Sequence, residues 1–135
     1  MLEQSFPAED AALSKVIAFA EEELEKAECP MRTLMQITVS IEEIFVNIAR
    51  YAYPEKAGEM LLGIDYDDCE KIFTFRFRDQ GIPFNPLDKP DPDVTLPAEE
   101  RKVGGLGIFL MKKNMDGYSY THENNENILT MWKKI

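Results

Sequence analysis

Apolar positions recur along this 135-residue chain with two different periods, and the changes between them mark its elements. Residues 2–6 fit a short edge strand. Pro7-Ala-Glu-Asp then predicts the opening of a helix, because proline suits a first helical turn and acids suit its positive end. Leu13, Val16, Ile17, Ala20, Leu24 and Ala27 follow helical spacing, Glu21, Glu22, Glu23 and Glu25 form a solvated face, and Cys29-Pro30 ends the helix. A second helix is predicted from about Arg32 to Ala52, with Leu34, Ile37, Ile41, Ile44, Phe45 and Ile48 as its apolar stripe and Pro54 as its stop. The period then falls to two. Runs 59–66 and 71–79 read as a hairpin around Asp67-Asp68-Cys69-Glu70, with Phe73, Phe75 and Phe77 on one face and Ile72, Thr74, Arg76 and Arg78 on the other.

No period survives in residues 82–103, which hold five of the eight prolines. So long a stretch without an element inside a compact domain is often a lid or binding loop, so a lid over about 82–104 is expected, with a plain insertion as the alternative. Gly105–Asn114 reads as a helix with Leu106, Ile108, Phe109 and Met111 apolar. After the Asp116-Gly117 turn, Tyr118–His122 and Asn127–Lys134 form a last hairpin. This order predicts an α+β fold, with an antiparallel or mixed sheet and the helices packed on one face.

Composition narrows the functions. The length and the 44% apolar fraction fit one domain, 1–135, with a real core. The net charge of −10 argues against direct nucleic-acid or anionic-membrane binding, which needs clustered cations. A polyanion would have to be met locally by glycine amides, a metal ion and a few basic side chains. Cys29 and Cys69 form no CxxC or Cys/His cluster and read as free thiols of a reducing compartment, and the single His122 excludes a multi-histidine metal site. The acidic N-terminus lacks the apolar core of a signal peptide, and no run approaches the ~20 residues of a membrane span, so a cytoplasmic location is expected.

Three separated segments carry candidate chemistry. Glu43 and Asn47 share a helix face one turn apart, and could supply a base and an amide ligand to a hard cation, or be an ordinary surface acid and amide. Asp79 continues the Phe73-Phe75-Phe77 face, so alternation points a carboxylate to the core side, where it needs a partner. A ligand's exocyclic amine is one such partner, and Gly81 lets backbone approach a flat ring; a strand-ending Asp-x-Gly turn is the plainer alternative. Gly104-Gly105-Leu106-Gly107 opens a helix, where free amides and the helix dipole suit phosphates, or where glycines merely hinge the loop. No Gly-Lys-Ser/Thr follows and no strand precedes, which disfavours Walker and Rossmann sites.

In this order the segments Glu43–Tyr53, Asp79–Pro86 and Gly104–Asp116 resemble the N, G1 and G2 boxes of the Bergerat-fold (GHKL) ATPases, and within them the small anti-sigma-factor serine kinases, the RsbW-like branch. The likeness covers nearly the whole chain. It implies a two-layer α/β sandwich with ATP between helices and sheet. It implies that Asn47 binds the Mg2+ bridging the phosphates and that Glu43 is the general base or orients a substrate serine. Asp79 would accept from the adenine amine, Gly81 would admit the ring, and Gly104, Gly105, Leu106 and Gly107 would wrap the phosphates. Thr130 matches the last-strand threonine that supports the aspartate, and Arg101 and Lys102 stand near the phosphates. The implied partners are an anti-anti-sigma (STAS-type) protein, phosphorylated on serine, and a sigma factor held by a homodimer.

Two positions depart from the family's pattern. Tyr51 stands where many of these kinases have histidine, and Pro83 replaces the second glycine of the Asp-x-Gly-x-Gly box, stiffening the start of the lid. Nucleotide binding is expected to survive both. Kinase turnover is the property they bear on, so a nucleotide-gated binding module and a regulator of a serine phosphatase stand as alternative readings.

Overall fold

The computed structural model describes residues 1–88 and 105–135. Five strands, β1 (Leu2–Pro7), β2 (Glu59–Asp67), β3 (Ile72–Asp79), β4 (Gly117–Glu123) and β5 (Glu126–Lys134), form one sheet in the order β1-β2-β3-β5-β4, every pairing antiparallel. Among the described residues three α-helices, α1 (Leu13–Lys26), α2 (Met31–Tyr51) and α3 (Gly105–Asn114), complete an α+β fold consistent with the Bergerat architecture.

The elements follow the two periods. Val16, Ala20 and Leu24 are the buried residues of α1, and Leu34, Ile37, Ile41, Ile44, Phe45 and Ile48 line the buried face of α2. They meet Leu62, Ile64, Phe73, Phe75, Phe77, Leu129 and Met131 from the sheet in one core. On β3 alternation is strict, with Phe73, Phe75, Phe77 and Asp79 buried and the residues between them partly exposed. The β4–β5 turn places Asn124 and Asn125 at positive φ (54° and 62°), a conformation that asparagine tolerates and tight hairpins require.

The first helix starts later than the sequence predicts. Pro7 is the last residue of β1, paired with Glu59, and a short 3-10 turn at Asp10–Ala12 precedes α1. Pro7 can end a strand because β1 is an edge, where a missing N–H costs no ladder bond. The chain then turns through Ala8 N–H, which donates to Gly58 O at 2.9 Å.

The register sets up the site. Opposed residues share a face, so Phe6, Met60, Asp79, Asn127 and His122 make one transverse row on the helix side at one end of the sheet. Among the described residues no helix is long and apolar enough to cross a membrane.

Phe75 is fully buried between neighbours from β2 and β5, so Phe75→Ala is expected to cost about 3–5 kcal/mol by urea denaturation. Thr74→Ala on the opposite face should cost less than about 1 kcal/mol. Similar losses at both positions would contradict the one-sided core.

Candidate functional site

Glu43 and Asn47 project from one face of α2. Asn47 is buried, and its Nδ2 donates to the Glu43 carbonyl at 2.7 Å and to Glu43 Oε1 at 2.9 Å. With both amide hydrogens turned to Glu43, the amide oxygen end faces away from it. The carboxylate also meets α3, where a Cβ on Gly107 would stand 2.0 Å from Glu43 Oε2 and 2.2 Å from its Cδ. The first turn of α3 therefore approaches Glu43 only because residue 107 has no side chain. The positive end of a helix dipole and an acid-amide pair thus come together from two elements far apart in sequence.

Asp79 ends β3 with its side chain 4% exposed. Its Oδ1 accepts from Gly81 N–H at 2.9 Å and from Asn127 Nδ2 at 2.9 Å, while Oδ2 has no hydrogen-bond partner among the described residues. Burial pushes the Asp79 carboxyl above the usual carboxylate range, opposed by these two donors and by the field of His122.

Gly81 has a packing reason of its own. A Cβ there would meet the Ala52 carbonyl oxygen at 2.2 Å, and Ile82 N–H donates to that same oxygen at 2.8 Å. The turn after β3 is thereby docked on the C-terminal end of α2. A cleft of about 490 Å3 lies alongside, between Ala52–Lys56 and Gln80–Ile82. Tyr53 braces its wall: its hydroxyl accepts from Gln80 N–H at 2.8 Å and donates to Glu59 O at 2.7 Å, and burial raises its pKa.

Thr130 does not join this group. It pairs with Arg76 and lines a groove with Arg76, Arg78, Ser119 and Thr121 on the opposite face of the sheet. Strand parity is the reason, because Asp79 faces Asn127 and residues 127, 129 and 131 share its side while 130 does not. The expectation that Thr130 supports Asp79 is corrected accordingly, and the side chain that bonds Asp79 is Asn127. The signal was present in the sequence as a lone amide at the first inward position of an otherwise apolar alternation, Asn127-x-Leu129-x-Met131.

Tyr51, one turn beyond Asn47, packs its ring against Phe84 at 5.4 Å between centroids, and Lys112 of α3 donates to Leu87 O at 2.8 Å. Gly105 and Gly107 fall in the first turn of α3. Gly104, Arg101, Lys102 and most of the expected lid lie outside the described residues, as do the side-chain surroundings of Leu106. No group of three or more His, Cys, Asp or Glu able to hold a metal occurs among the described residues, so a cation here would depend on the Asn47 amide and on ligand oxygens.

The two glycines predict separable effects. Gly81→Ala drives a Cβ into backbone and should cost about 1–3 kcal/mol of stability. Gly107→Ala meets mainly the movable end of Glu43, so the thermal midpoint should change much less while the carboxylate is displaced, as a crystal structure of the variant would show.

Comparison with known proteins bears on this arrangement. The model of the family described as "Histidine kinase-like ATPase domain" matches residues 6–133. The serine-protein kinase RsbW of Bacillus cereus (strain AH187) is 30% identical over 96 residues, which cover 67% of this chain and 58% of that protein. RsbW of Bacillus anthracis (strain A0248) is 30% identical over 95 residues with the same coverage. The chain thus spans little more than half the length of these relatives.

Proposed function

The chain belongs to the histidine kinase-like ATPase family, and from that premise we propose that it binds ATP with Mg2+ between α2, the end of β3 and the start of α3, and transfers the γ-phosphoryl group to a serine of a protein partner. The resemblance to the small anti-sigma-factor serine kinases supplies the partners of this reading: an anti-anti-sigma protein of STAS type, and a sigma factor held by a dimer of this chain.

The observation that carries the reading is the joint placement of Glu43, Asn47 and Gly107. It gives phosphoryl transfer the parts it needs, which are mostly positioning and charge stabilisation. The Asn47 amide oxygen is a suitable ligand for a hard cation. That cation, when bound, offsets charge on the β- and γ-phosphates. The amides at the start of α3 face the same phosphates with the positive end of the helix. Glu43 orients a serine hydroxyl and takes its proton as the serine oxygen bonds to phosphorus. The bond from phosphorus to the β,γ-bridging oxygen breaks, and its electron pair leaves with ADP. At the other end, Asp79 Oδ2 is an acceptor suited to an exocyclic amine, so the residues present fit an adenine nucleotide.

A second reading has its own observation. Glu43 is tied to Asn47 and crowded by Gly107, and Tyr51 is engaged with Phe84, so ATP could gate partner affinity without turnover.

Calorimetry with ATP, with and without Mg2+, is the first test, and Mg2+-dependent binding is the expected result. No binding at millimolar ATP would remove the nucleotide reading. Glu43→Ala should keep ATP affinity within a few-fold and lower partner phosphorylation by about 10²–10⁴-fold, measured with labelled ATP and a STAS-domain protein. Wild-type binding without any phosphate transfer would favour the gated module.

Asp79→Asn should weaken ATP at least tenfold, because an amide N–H would then face the base amine. Its stability should move the other way. A buried carboxylate with a raised pKa costs folding energy above that pKa, and the cost disappears as pH falls and the group protonates. The variant's thermal midpoint should therefore exceed the wild type's at pH 8, with the gain shrinking toward pH 4. A lower midpoint throughout would contradict the burial cost.

A further inference from the structure

We infer that Asn127 is a positioning residue for base selection: its side-chain amide spends one Asp79 oxygen inside the protein and so presents the other to a base amine. This rests on the adenine-nucleotide reading above and adds a determinant that the sequence resemblance did not supply.

The amide uses its whole bonding capacity. Asn127 Nδ2 donates to Asp79 Oδ1 at 2.9 Å and to Ile82 O at 2.8 Å, and Oδ1 accepts from Phe84 N–H at 3.1 Å and from the Tyr120 hydroxyl. Reversing the amide would set its oxygen against two acceptors and its NH2 against the Phe84 N–H donor. The orientation is therefore fixed by chemistry. Asp79 Oδ1 already carries the Gly81 N–H bond, so the Asn127 bond fills it and locks the carboxylate rotamer. What remains for a ligand is an acceptor alone. A 6-amino purine offers a donor to it, and a 6-oxo purine offers a second acceptor, which repels. A site that leaves a buried polar group unpaired against the wrong ligand discriminates strongly.

The same amide also reaches the rest of the cleft. Through Ile82 O and Phe84 N–H it holds the turn that follows β3, and the Phe84 ring rests on Tyr51, one turn from Asn47. One side chain thus fixes the base end of the site and, through Phe84, the neighbourhood of the proposed metal ligand.

Asn127→Asp keeps the shape of the side chain and replaces its donor with a second carboxylate. At pH 8 it should weaken ATP roughly 10–100-fold and weaken GTP much less, so the ATP-to-GTP preference collapses. Asn127→Ser, which keeps a donor, should recover part of the preference. The second readout needs no nucleotide: carbon-13 titration of the Asp79 carboxyl in the unliganded chain should move to higher pH in Asn127→Asp. The groups facing Asp79 are His122 and Tyr120 from β4, Glu126 from β5 and Tyr53 beyond α2, while Met60 and Phe6 bring no charge from β2 and β1. His122 acts on the Asp79 carboxyl through its field, so the comparison is made in a His122→Gln background. A folded Asn127→Asp chain with an unmoved Asp79 titration and an ATP-to-GTP ratio within twofold of wild type would overturn the inference. A missing wild-type ATP isotherm would overturn the nucleotide reading and the base-selection role with it, and the nucleotide-free titration tells that failure apart from failure of the amide link alone.

Discussion

The structure is organised around a carboxylate that the sheet buries at the end of its phenylalanine-lined central strand. Phe73, Phe75 and Phe77 commit one face of β3 to the core, and the pleat then delivers Asp79 to the same side. An ionised carboxylate in that place is expensive unless it is bonded. Two donors meet Oδ1, from the Gly81 backbone and from Asn127, and none among the described residues meets Oδ2. Their arrangement explains why the turn after β3 has the shape it has: residues 81–84 are bent back so that Gly81 reaches Asp79 while Ile82 and Phe84 reach Asn127.

The other end of the site depends on a different kind of contact. Glu43 and Asn47 are placed by helical periodicity alone, and α3 is brought to them by the absence of a side chain at Gly107. The glycines therefore have separate physical roles. Gly81 clears the backbone of α2, whereas Gly107 clears a carboxylate. The usual account of such glycines, backbone access for a ligand, is not required to explain either one, although it is compatible with both.

Much of this was legible in the sequence because it rests on period. The stripes of α1 and α2 and the phenylalanine face of β3 gave the layers, and parity at Asp79 gave the buried acid. What failed was what period cannot supply. The expected role of Thr130 rests on likeness to a family position, whereas its face depends on the β3–β5 register, fixed by the hairpin turn at Asn124-Asn125 and by pairing across 48 residues. A single amide at a strand start, as at Asn127, resembles a turn residue until its partner strand is known. The local preference of Pro7 suits a helix start, and the edge position of β1 overrides that preference.

The two ends of the site are held in relation by α2. Its C-terminal Ala52 carbonyl receives Ile82 N–H, and its Glu43-Asn47-Tyr51 face runs alongside, with Tyr51 closing on Phe84. A histidine at position 51 would offer a smaller ring and a titrating nitrogen there. Tyrosine offers a larger aromatic contact and a hydroxyl in place of an imidazole nitrogen. This exchange keeps the mechanical link between α2 and the turn after β3 while leaving no imidazole at position 51 beside the Glu43-Asn47 pair. In the proposed function, base recognition through Asp79 and Asn127 stands apart from that change, whereas the proposed proton transfer at the phosphate end is left to Glu43. On the proposed function the departure from the family pattern bears on turnover rather than on nucleotide selection, which is where the two functional readings part.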